Sequence, residues 1–269
     1  MAGQVLMAVE RSVARVTLSH PGKFNAMSRA MWRELRAVFE AIQPRMDLRC
    51  VVVAGEGGHF CAGGDIAEYP AFRFSEAGLR DFHENDVWGA LDAMLGCDVP
   101  IVAQIEGNCM GAGLEIASCC DLRVAGVSAR FGAPIARLGF PMAPREAKLV
   151  SGALGELTAR EMLLEAAVLD APTLLLRGFL NGVVADADVA GDALGRAQRI
   201  AALAPQAARL NKQTLRALNM PDPNVDGSLD AMKSMVDRAY AYAYADSAEE
   251  AWEQLLRLGL TVPGDSTPA

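Results

Sequence analysis

The chain has 269 residues, 52 % of them hydrophobic and 22 % charged, the balance of a soluble globular protein with room for one large domain and an appended piece. Its net charge of −8 argues against the concentrated basic face that nucleic acid binding needs, and leaves room only for a local anion site. The longest apolar runs fall far short of a membrane span, and the opening MAGQVLMAVERS lacks the basic and apolar regions of a secretory leader, so a cytoplasmic protein with no membrane contact is expected.

Residues 5–9 and 13–19 read as two strands, the second alternating and β-branched. From Ser28 to about residue 43 apolar side chains recur at Met31, Leu35, Val38, Phe39 and Ile42, which predicts a helix with Ser28 as its N-cap. CVVVAG (50–55) is a short apolar run suited to a strand buried on both faces. A glycine-rich loop leads into a long helical stretch, 75–95, and Pro100 opens a second buried strand, 101–106. A helix is predicted at 112–119 and a strand at 122–125. Strands alternating with helices indicate an α/β architecture. Beyond residue 188 the pattern is helical, at 188–203, 206–218 and 226–244. The sequences Thr158-Ala-Arg-Glu161 and Ser247-Ala-Glu-Glu250 match capping boxes, and 262–269 reads as a frayed tail.

The six cysteines (50, 61, 97, 109, 119, 120) form no CxxC pair, and His20, His59 and His83 are scattered. Clustered zinc ligands are therefore missing and packed free thiols are expected.

Two loops stand out. Gly57 to Ile66 (GGHFCAGGDI) follows one buried strand and Glu106 to Glu115 (EGNCMGAGLE) follows another. Small residues at a strand-to-helix junction let backbone approach a ligand, and free N–H groups at a helix start favour negative charge. The plain alternative is two tight turns, where glycine is the default residue. Neither loop fits a nucleotide fingerprint: the second runs G-x-x-x-G-x-G, with Ile116 where G-x-G-x-x-G requires its third glycine, and no GK[ST] occurs.

In their order, His20-Pro-Gly-Lys-Phe-Asn-Ala-Met, FCAGGDI, IEGNCMGAGLEIASCCDLRVA and Ala129-Arg-Phe-Gly-Ala-Pro resemble the crotonase, or enoyl-CoA hydratase/isomerase, family over about residues 5–185. The resemblance implies a spiral of ββα units over 1–187 and a helical C-terminal region, 188–269, that builds homotrimers, often paired into hexamers. It implies an acyl-CoA substrate, with coenzyme A carried in as part of that substrate and no separate cofactor. Carried over by motif, the oxyanion donors fall on the amides of Gly64 and Ala112. Coenzyme A would lie along Lys23 to Met27 and Ala62 to Ile66, with Lys23, Ala26, Ala62, Asp65, Ile66, Gly111, Pro134 and Ile135 as binding positions. On the residues alone, Asp65 reads as a brace for the loop or a cap for the following helix rather than as a chemical group. Glu115, three residues after the second donor, takes the position of a catalytic glutamate.

The resemblance breaks at one place that matters. Family hydratases hold a water between two glutamates, the second following the proline of FGxPE, whereas here that position is Ile135. A lone Glu115 suits proton transfer between two carbons, and hydrolase, decarboxylase or non-catalytic acyl-CoA binding remain alternatives. Glu146, Glu68 and His83 are candidates to replace the missing glutamate, although each reads more readily as a solvated helix residue. The pocket wall is expected from Phe72, Phe74, Trp88, Leu91 and Phe140.

Overall fold

The computed structural model describes residues 2–139 and 141–218. Its main sheet has six strands. β1 (Gln4–Glu10) and β2 (Val13–Ser19) pair antiparallel, and every later pairing is parallel: β2 with β3 (Cys50–Gly55), β3 with β4 (Ile101–Ile105), β4 with β6 (Leu122–Gly126), and β6 with β9 (Gly182–Val184). Because side chains alternate across a strand, β3 feeds two cores. Val51 and Val53 join the large core, while Cys50 and Val52 meet Val102, Ala193 and Ala197 on the other face. The two alanines belong to α8 (Val189–Ala201), which covers that face. A second sheet, in the order β5 (Asn108–Met110), β7 (Arg130–Gly132), β8 (Val168–Asp170), was not foreseen from the sequence.

The predicted first helix is α1 (Arg29–Ile42). Ser28 caps it, its hydroxyl accepting from the Met31 N–H at 3.2 Å, and Met31, Trp32, Leu35, Phe39 and Ile42 are buried. The stretch expected as one helix over 75–95 is divided into α2 (Glu76–Asp81), a π turn at Phe82–Val87, and α3 (Trp88–Gly96). Asp86 on the wide turn is buried and takes Arg29 Nε and Arg33 Nε from α1, each at 2.6 Å. Two cations on one buried carboxylate pin the turn to α1 and settle charge that would otherwise be costly to bury.

After α4 (Ala112–Ser118) come α5 (Pro144–Leu154), packed against α4, then α6 (Glu156–Leu164), α7 (Ala171–Leu176), α8 and α9 (Pro205–Leu218). The capping box expected at Thr158 is absent. Gly155, at φ 80°, ends α5 and lets α6 begin at Glu156, so Thr158 lies buried inside the helix. Among the described residues no strand follows 188, as expected, and no helix is long and apolar enough to cross a membrane. The readings at 226–244, 247–250 and 262–269 lie outside the described residues.

Candidate active site

The two glycine-containing loops leave the ends of β3 and β4, neighbours in the sheet, and are stitched together by backbone bonds. Cys61 N–H donates to the Asn108 carbonyl and Met110 N–H to the Cys61 carbonyl, both at 2.9 Å. The Phe24–Met27 segment runs along the first loop: Ala62 N–H donates to Phe24, Met27 N–H to Gly63, and Asp65 N–H to Met27, at 2.8–3.0 Å. Against this background the two amides that the motifs point to are unengaged. The N–H groups of Gly64 and Ala112 donate to no other group among the described residues.

Each follows a glycine that steers it. Gly63 has φ 117° and Gly111 φ 46°, conformations side chains oppose. The loops also touch closely: a Cβ on Gly113 would lie 2.7 Å from the Cys61 carbonyl oxygen. Glycine is required there by the approach of a neighbouring backbone.

A cavity of about 340 Å³ opens where these loops meet. Of the positions singled out in the sequence, Ala62, Gly64, Ile66, Gly111, Ala112, Glu115, Pro134 and Ile135 line it. Lys23, Ala26 and Asp65 do not. Lys23 Nζ lies 2.6 Å from Asp65 Oδ2, and Asp65 Oδ1 accepts the Ala67 N–H, so Asp65 braces the loop. The expected wall needs correction. Trp32, Tyr69, Phe82, Val87 and Met142 line the cavity, while Phe74 is 86 % exposed and Phe72, Trp88 and Leu91 pack elsewhere. The π turn is the cause, presenting Phe82, His83 and Val87 to the cavity before α3 enters the core. Phe140 lies outside the described residues.

Glu115 occupies the first turn of α4 and is 9 % exposed, and its side-chain carboxyl receives no hydrogen bond from the described residues. Burial, and secondarily the charge of Glu146, push its pKa up to about 8. The helix dipole works in the opposite sense, but at ~0.3–1 kcal/mol it is too weak to prevail.

Glu146 and His83 require a second correction. Both line the cavity, and Glu146, in the first turn of α5, is 1 % exposed, with its Oε1 3.0 Å from His83 Nδ1. Pro144 and Glu146 together are a readable helix start, but nothing local announces that this start turns inward. Glu68 stays outside, accepting the Arg29 N–H at the head of α1. Tyr69 was missed altogether: a Cβ on Gly64 would lie 2.5 Å from its hydroxyl oxygen. The Cys61 thiol, pushed up to about 12 by burial, has no nucleophilic character at neutral pH.

A mostly apolar cavity with two unengaged amides and a protonatable carboxyl is a site for a carbonyl compound that gains negative charge as it reacts. Residues 8–242 match the model of the enoyl-CoA hydratase/isomerase family. A probable enoyl-CoA hydratase of Mycobacterium tuberculosis is 33 % identical over 84 % of this chain and 84 % of its own length. The short-chain-enoyl-CoA hydratase of Clostridium acetobutylicum is 30 % identical over 78 % of this chain and 80 % of its own. Among solved structures, an enoyl-CoA hydratase/carnithine racemase from Magnetospirillum magneticum superposes with a TM-score of 0.79 at 31 % identity, covering 96 % of this chain and 94 % of that one. The chain belongs to the enoyl-CoA hydratase/isomerase family, has its crotonase fold, and is an acyl-CoA thioester enzyme of that type.

Proposed function

We propose that the chain binds an enoyl-CoA thioester with its carbonyl oxygen at the amides of Gly64 and Ala112, and that Glu115 moves a proton at the adjoining carbons. The observation that carries this reading is the pairing of two unengaged N–H groups with a buried carboxyl in one cavity. As the thioester becomes an enolate, charge grows on its oxygen, where each fixed donor is worth about 3–4 kcal/mol. Burial, with the charge of Glu146 second, raises the Glu115 pKa towards neutrality, which suits a carboxyl that gives a proton to carbon and takes one back.

Homotrimers or hexamers are part of the proposal. Leu157, Leu164 and Leu176 are 83, 75 and 89 % exposed on α6 and α7, apolar surface suited to burial against another copy. A reducing, cytoplasmic setting fits the six cysteines, all buried free thiols.

Incubation with 2-enoyl-, 3-enoyl- and malonyl-type CoA thioesters, read by mass, identifies the reaction. Glu115→Gln keeps the shape and removes the exchangeable carboxyl, and is expected to lower turnover a hundredfold or more on the best substrate while binding persists. A folded Glu115→Gln protein with native turnover would overturn the reading.

A further inference from the structure

The cavity contains a second carboxylate that this reading leaves unused. α5 packs against α4, so that Glu146 and Glu115, each in the first turn of its helix, enter the same cavity. Glu146 Oε1 is engaged by His83 Nδ1, but Oε2 is buried and has no hydrogen-bond partner among the described residues. A bare buried oxygen of this kind is costly, and more so when charged, so a partner is expected for it. Glu146 lines the cavity, whose volume of about 340 Å³ has room for water. Ile135, also lining the cavity, supplies no polar atom to hold that water.

We propose that Glu146, oriented by His83, is the second acid/base group of the site and serves in place of the carboxylate missing at position 135. The proposal rests on the reading given above for Gly64, Ala112 and Glu115. With its Nδ1–H donated to Oε1, His83 fixes the rotamer and leaves Oε2 to accept a hydrogen bond from water. His83 is in turn set by the π turn, which Asp86 ties to Arg29 and Arg33.

The step balances. Glu146 removes a proton from water as the water oxygen bonds to the β-carbon of a 2-enoyl thioester. The C=C electron pair moves into the enolate, whose oxygen faces Gly64 and Ala112. Glu115 then gives its proton to the α-carbon, and the two carboxyls end, as they began, with one proton between them. One shared proton is what two neighbouring buried carboxyls favour.

Crotonyl-CoA is the probe. Native protein is expected to hydrate it, Glu146→Gln to lose a hundredfold or more in kcat, and calorimetry to show crotonyl-CoA binding within a few-fold of native. His83→Ala is expected to lower kcat about tenfold or more with little change in KM, and His83→Gln, whose amide can still donate, to recover part of it. Turnover of Glu146→Gln within threefold of native overturns the proposal, as does native protein that binds crotonyl-CoA and adds no water. Loss of activity in Glu115→Gln beside an active Glu146→Gln leaves the broader reading standing; native turnover in both removes that as well. If circular dichroism shows Glu146→Gln to be unfolded, the His83 pair decides, and native kcat in His83→Ala overturns it.

Discussion

Enclosing Glu115 couples its ionisation to folding. Its unfolded pKa is 4.5 and its folded value about 8. Below about 4.5 both states carry the proton. Between the two values the native state keeps it and the unfolded state does not, so stability falls as pH rises, and the loss is complete above about 8. The effect is on the order of a few kcal/mol, since each unit corresponds to about 1.4 kcal/mol. Melting temperature followed by circular dichroism should therefore decline from pH 5 to 8 in native protein, and Glu115→Gln should flatten that decline. An equally steep decline in Glu115→Gln would place the responsible group elsewhere.

At the scale of elements, the start of α4 does two jobs, aiming an amide and opening a helix. Ala112 occupies the first helical position, where proline is sterically tolerated and its missing N–H breaks no helical bond. Ala112→Pro is expected to keep the fold and lower turnover roughly a hundredfold, the usual cost of one oxyanion donor; full activity would mean that the donor is a different amide. The local elements around this helix were legible in the sequence. A β-branched run such as 13–19, the apolar spacing of α1 and its Ser28 cap, and the small residues at 63–64 and 111–113 all announce themselves over a few residues. β5, β7, β8 and β9 did not, because three residues are too few to show a period of two. The π turn was hidden because its wide geometry is held from outside, by arginines of α1 on Asp86. Glu146 was misread for a similar reason: its burial depends on α4 and on His83, 63 residues away in the chain.

For the whole molecule, the exposed leucines of α6 and α7 carry the expectation of assembly. Leu164→Glu with Leu176→Glu places charge on two of the most exposed apolar side chains and is expected to yield a monomer by light scattering, against a trimer or hexamer for native protein. A native monomer would end that expectation. The parallel order of the main sheet has a consequence of another kind, in time. After the β1–β2 hairpin, each new strand pairs only once an intervening crossover has been made, and such non-local pairing is slow to fold. On a growing chain, therefore, the two amide-bearing loops meet when β4 joins β3, Glu146 arrives after both, and β9 closes the far edge later still. Among the described residues, Glu146 is the last of the cavity's polar side chains to be synthesised.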